Sequence, residues 1–465
     1  MKLNRSIFSV IPAMFLFSAC SDDAPCDFTN QTGCDSGKVC EMTAGGSVGC
    51  FAPLVLRGDV FDLADQSAVA DARVVALDGN GAGISTVAES DSLGGYELTV
   101  PAERDTSGAP ASANITLRAD ASGYQTFPSG LRQPIPIDLS TAVDSGEGNW
   151  VVQSSLTDIG LIAQPGGTGT GSIHGIAEVP SNRPGTLVVS ETGSPAVGTS
   201  AIADRDGNYK IFNLAAGSYA VRGFAKGANY DAGSVDLTDG QDAEVNLALN
   251  GEAAATLNGN VQIVNPGSGD ATSIILVAES TFNSALVRGD AVPGLRAPDP
   301  GTDPNVSGAF TITGIPVGNY VVLAAFENDA LVRDPDTCIA GTDILHQAFA
   351  AGESVDLSSG FKITGALDVI SPGASGPEVV SGTPTFSWVD DSSEKSYHLT
   401  VLDSFGNKVW ETDEAGHSGD DPSVPYGGTT VLESGMFYQF RVVSISNNDC
   451  ELSQTEDLKG VFQIQ

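Results

Sequence analysis

The chain holds four histidines, His174, His346, His398 and His417. None stands in a His-Glu-x-x-His or His-x-x-Glu pattern, so the paired imidazoles that grip a catalytic zinc are absent from the sequence. There is no Gly-x-Ser-x-Gly elbow to present a nucleophile and no phosphate loop. A Ser/His/Asp triad stays open, because its members can be far apart in the chain. The cysteines are the other reactive set. Cys26, Cys34, Cys40 and Cys50 fall close together among Asp, Gly, Ser and Thr. They form no Cys-x-x-Cys knuckle and have no His nearby, so two disulfides are expected rather than zinc, and all three pairings remain possible. Cys338 and Cys450 are expected to pair with each other. Disulfides imply an exported, oxidising setting. The run Asp204-Arg205-Asp206-Gly207-Asn208 looks like the start of a calcium loop. It leads at once into an alternating segment instead of a helix and has no distal Glu, so a turn is expected. No metal and no cofactor follow from these residues.

The elements that must position them read as strands. Asp204 to Arg222 runs turn, strand, turn, strand, with Tyr209 and Ile211, then Tyr219 and Val221, recurring every second residue. The same pattern occurs at Asp91 to Pro101 and at Gly308 to Val322, and the Asp204 and Gly308 runs are expected to form hairpins. Gly 55 and Pro 24 with only 17% charged residues fit many short strands joined by tight turns. The fold class is therefore all-β, as tandem β-sandwiches. The formal charge of −37 repels phosphate backbones and excludes a nucleic-acid partner. Its acidic residues are dispersed, which fits a solvated, exposed protein; loosely bound calcium is the sharper alternative.

Lys2 and Arg5 precede an apolar run, Ser6 to Phe17, too short to span a bilayer. Phe17-Ser18-Ala19-Cys20 follows and resembles a bacterial lipobox. The resemblance implies a signal peptide over 1–19, a diacylated Cys20 as the mature N-terminus, and a membrane partner held through that lipid alone. Ser21 in place of Asp implies, by the enterobacterial rule, sorting to the outer membrane. The segment 20–53 is then an anchor and a Cys-rich collar, and Gly33 to Cys40 resembles the collars of some exported lipoproteins.

From 54 to 165 the order is Leu56-Arg57-Gly58-Asp59-Val60, Ala72-Arg73-Val74-Val75, Asp91 to Tyr96, Ala113 to Ala119, then Gly123-Tyr124. This resembles the carboxypeptidase regulatory-like domain, a transthyretin-like sandwich that accompanies peptidases without hydrolysing anything. Residues 169–250 and 255–370 repeat the order. The Gly166 to Gly171 tether, Asn250 to Glu252 and Ser371 to Pro377 mark the boundaries. A long loop with Pro293, Pro298, Pro300 and Pro304 is expected to be disordered rather than functional. From 378 to 465, Thr385-Phe386-Ser387-Trp388 and Tyr438-Gln439-Phe440-Arg441-Val442 resemble a fibronectin type III-like domain, which puts Trp388 and Tyr438 in its core.

The four sandwiches are expected to stack as a rod. The function expected is a non-catalytic envelope lipoprotein that presents sandwiches for binding or adhesion to a protein or glycan. Carbohydrate binding in a polysaccharide-handling system is the alternative, with Tyr124 and Trp150 the leading ligand contacts and Phe127 and Tyr230 behind them. An accessory role in a secreted enzyme complex is a third.

Overall fold

The computed structural model describes residues 26–28, 31–166, 169–298, 305–324, 326, 329–342, 344–417 and 419–465. The leader, Cys20, part of the glycine tether, Pro300 and Pro304 lie outside the described residues. The described chain is a series of β-sandwiches with no α-helix and three short 3-10 turns.

Three units share one topology. In the first, Leu54–Asp62 pairs antiparallel with Gly95–Val100 and parallel with Trp150–Gln153 and Ile159–Ala163. Across the core, Arg73–Leu77 pairs with Asn114–Asp120. The second unit repeats this with Gly171–Ile176 against Asn208–Leu214 and Asp242–Glu244, and Leu187–Thr192 against Gly217–Ala225. The third does so with Ala255–Ile263 against Ala309–Ile315 and Phe361–Gly365, and Ile274–Ala278 against Gly318–Ala324. The period-two side chains fill the space between the sheets. Tyr96, Leu98 and Val100 do so in the first unit, and Tyr209, Ile211 and Leu214 in the second.

The expected hairpins do not form. Asn208–Leu214 belongs to one sheet and Gly217–Ala225 to the other. Ala309–Ile315 and Gly318–Ala324 divide the same way. The short connection between them arches over the core, so each strand finds its partners elsewhere. Alternation reports that one face is buried, and it is silent on which sheet supplies the neighbour. The proline-bearing loop is also more regular than expected, since Ala291–Ala297 forms an edge strand beside Ile274–Ala278. Pro293 sits at a register shift there, where a missing N–H costs no ladder bond.

The last unit packs a three-stranded sheet (Val369–Ser371, Thr385–Trp388, Ser423–Pro425) on a larger one centred on Ser396–Asp403 and Phe437–Ile445. Trp388, Phe386, Tyr397, Phe440 and Phe462 are sealed in its core, with Tyr438 beside them.

Chain neighbours are joined by a recurring contact. Asn213, in the arch of the second unit, accepts from Gly123 N at 2.7 Å and donates to Tyr124 O at 2.8 Å in the first. At the matching place in the third unit, Gly314 O accepts from Gly227 N of the second at 2.7 Å. The second and third units also share apolar core. Leu187, Val189 and Phe224 turn away from their own interior and pack with Tyr320 and Ile274, Phe224 meeting Tyr320 edge-on at 5.8 Å.

The rod is corrected by contacts between units distant in the chain. Gln125 of the first unit donates to Ser404 O of the last. Leu131, Leu286, Leu402 and Val461, from the first, third and last units, form one buried cluster. Arg288 of the third unit donates to Gly130 O of the first and Asp457 O of the last. The series therefore folds back so that its first and last members meet.

Candidate functional site

Cys26 joins Cys40 and Cys34 joins Cys50, an interleaved pair with Cα separations of 5.8 and 5.6 Å. Their sulfurs, like those of Cys338 and Cys450 beside Asp336, lie close enough to suggest a metal cluster. Being paired as disulfides, they offer no thiolate to a cation. Cys338–Cys450 ties the third unit to the last across 112 residues. The collar strands Val39–Met42 and Val48–Phe51 do not hang free. Buried Glu41 receives Arg104 Nε and Ala102 N, and Arg104 also donates to Ala52 O, welding the collar to the first sandwich.

Among the described residues, a Ser, a His and an Asp meet at Asp242. Ser172 Oγ donates to Asp242 Oδ1 at 2.6 Å, and His174 Nδ1 contacts the same oxygen at 3.0 Å. Both partners end on the carboxylate, so the imidazole is not placed to take the serine proton, which is what nucleophilic catalysis requires. Lys210 reaches the other oxygen at 3.1 Å. Partial burial pushes the Asp242 carboxyl up. The hydrogen bonds from Ser172, His174 and Lys210 outweigh it and hold the group down at about 2.

Asp204 behaves as a turn residue. Its carboxylate accepts from Asp206 N, Asn208 N and Asn208 Nδ2, and from Val87 N of the first unit. The same Asp-x-x-Gly-x turn recurs at Asp78, Asp91, Asp105 and Asp403, each carboxylate accepting from the second and fourth following N–H. The backbone N–H groups thus hold one carboxylate oxygen of each of these residues, as a turn requires.

Tyr124 and Trp150 are both half-buried against the first core. Trp150 lies opposite Leu54, whereas Tyr124 lies opposite Ala163, beyond the partner of Asp62. At about 3.3 Å per residue the two rings are roughly 25 Å apart, too far to bracket one sugar ring. Phe127 carries the Arg132 guanidinium on its face, and the Tyr230 hydroxyl is bonded to Thr186 and Glu178 O.

The concave surfaces lie between units. One cleft of about 620 Å³ separates the third unit from the last and is lined by Asp334, Asp336, Asp390, Asp391 and Lys362. Four of its acids are spoken for: Asp334 by Lys362 at 3.1 Å, Asp336 by Cys338 N, Asp390 by the Tyr397 hydroxyl, Asp391 by Ser393 and Ser444, while Asp368 is exposed at its rim. A second groove, of about 460 Å³, lies between the first unit and the last, with Arg132 in its wall. Neither surface is visible in the sequence, because each is assembled from segments more than 200 residues apart or from two different modules. The readable signal was the unbroken apolar run Leu187-Val188-Val189, which buries both faces of its strand and so announces a neighbouring unit.

No family model matches the chain, and no curated protein matches it. Solved structures do. The Bacillus anthracis TIE protein is 11% identical, with 85% of this chain and 68% of that one covered, at a TM-score of 0.16. A streptococcal ancillary pilin is 12% identical, covering 67% of this chain and 98% of that one, at 0.17. The minor pilin of Streptococcus agalactiae is 13% identical, covering 44% and 100%, at 0.19. Scores this low carry no argument about role.

Proposed function

We propose that the chain is a non-catalytic lipoprotein of the cell envelope, held at Cys20 and presenting its sandwiches for binding or adhesion. In this reading 54–165, 169–250 and 255–370 are regulatory-like sandwiches and 378–465 is a fibronectin type III-like domain. The observation that carries the proposal is the mutual bracing of the units. Hydrogen bonds and a disulfide across 112 residues hold separate sandwiches together and leave clefts between them. Such a construction suits a rigid display surface, because concave sites are favoured where domains meet. The collar, welded through Glu41 and Arg104, would fix the orientation of that surface relative to a lipid at Cys20. The outer membrane is the proposed location, and a protein or glycan the proposed partner.

Two measurements test it. Cells fed an alkyne fatty acid should label the protein, and Cys20→Ser should abolish the label and release the chain into the soluble fraction. Cells displaying the protein should adhere to a host surface or glycan array more than deletion cells do. Adhesion unchanged by deletion, with no glycan bound, would count against the function while leaving the anchor intact.

A further inference from the structure

Arg132 is half-buried and differs in its partners from several other arginines withdrawn from water. Arg104 meets Glu41, Arg118 meets Asp120, and Arg441 meets Asp457. Arg288 lies close enough to Asp457 to feel its charge. Among the described residues Arg132 has no carboxylate within 4 Å; it contacts one backbone carbonyl, Gly160 O at 2.6 Å, and two rings. Those rings, Phe127 of the first unit and Phe437 of the last, lie with their centroids 4.5 and 5.3 Å from the guanidinium carbon. Burial pushes its pKa down to about 10, still far above neutrality, so the cation persists. A guanidinium has five N–H donors. The aromatic contacts engage its π system and the carbonyl takes one donor. None of its other nitrogens is sealed off without a partner, and the residue lines the groove.

A half-buried cation without a counter-ion carries part of a desolvation cost, and a chain with 58 acidic residues against 21 basic ones had acids to supply. The rest of the groove tells what would accompany an anion. Ile135 and Leu156 are 62% and 43% exposed there, and Pro134, Pro136 and Pro377 continue the apolar wall. Asp158, which also lines the groove, accepts from Asp59 N and stands outside ion-pair distance of Arg132. One guanidinium with an acid nearby suits a single negative charge better than a dianion. The −37 net charge does not veto this, because at physiological salt distant charges are screened within about 8 Å. A space of about 460 Å³ falls within the range of small-molecule sites.

We propose that the groove between the first and last units binds an amphipathic monocarboxylate, its carboxylate on the free edge of Arg132 and its apolar body along Ile135, Leu156 and Pro377. The site goes beyond anchoring and adhesion and would stand if either failed.

The test is calorimetric titration of the full mature chain with decanoate, decanamide and decyl phosphate below their aggregation concentrations. Decanoate should bind one to one, with decanamide and decyl phosphate each at least tenfold weaker. Arg132→Gln should weaken decanoate at least tenfold. Ile135→Asp, at an exposed position, should weaken it as much while leaving the melting temperature unchanged, which guards against a misfolded Arg132 variant. No decanoate binding, equal binding of decanamide, or affinity unmoved by Ile135→Asp would each overturn the proposal.

Discussion

At the scale of single residues, the chain spends its aspartates on turns. In Asp204 to Asn208 the carboxylate caps two following N–H groups while Gly207 takes a φ of +89°, a conformation that L side chains resist. Replacing Asp204 with Ala should cost about 1–3 kcal/mol in urea unfolding, and Asp204→Asn, which keeps one acceptor, should cost less. Asp242 gives a pH prediction. Its folded pKa of about 2 lies below its ordinary value, so its contribution is full above about pH 4 and is lost as pH falls toward 2. Asp242→Asn should therefore flatten that part of the acid limb of thermal stability, with its loss of stability present at neutral pH and vanishing near pH 2. The effect will be small, since the carboxylate is about half exposed. The Asp-x-x-Gly turn was legible from residue types alone, because its chemistry is local. The collar pairing was not, because spacing cannot choose among the three connectivities and only the folded path brings Cys26 to Cys40.

Among the strands, period-two alternation placed Tyr209, Ile211, Tyr219 and Val221 on one face each, and all four are buried, since the pleat makes alternation a direct record of burial. It misassigned the connections. A few residues between Leu214 and Gly217 can close a hairpin or arch between sheets, and the choice is made by Gly171–Ile176 and Leu187–Thr192, which lie dozens of residues upstream. The arch has its own work, since Asn213 at its start, with a φ of +63°, carries the bonds to the first unit. Asn213→Gly keeps the backbone conformation and removes those bonds. It should cost about 1–3 kcal/mol, and hydrogen exchange should rise at Gly123 more than in the second unit's own core. Leu187→Ala tests the shared core. It should cost about 2–5 kcal/mol and lower the protection of the third unit's Tyr320 strand as well as its own.

For the whole molecule, composition and repeats made the all-β, multi-sandwich class legible, and the return of the last unit to the first was hidden. That return depends on contacts such as Gly130 against Ser404, where an added Cβ would come within 2.2 Å of a carbonyl oxygen. Gly130→Val should open the contact and raise the radius of gyration in small-angle scattering, with the separate sandwiches still folded. Removing Cys338 and Cys450 together, as serines, should cost about 2–5 kcal/mol, because the long loop they close restricts the unfolded chain.

The same cross-link bears on mechanical load. Pulled from its two ends, the polypeptide would transmit tension straight from Cys338 to Cys450 through the sulfur bridge. The chain between them, over a sequence separation of 112, would be shielded from stretching. About 380 Å of contour length would thus never be released, and a force trace under reducing conditions should show that extra extension appear.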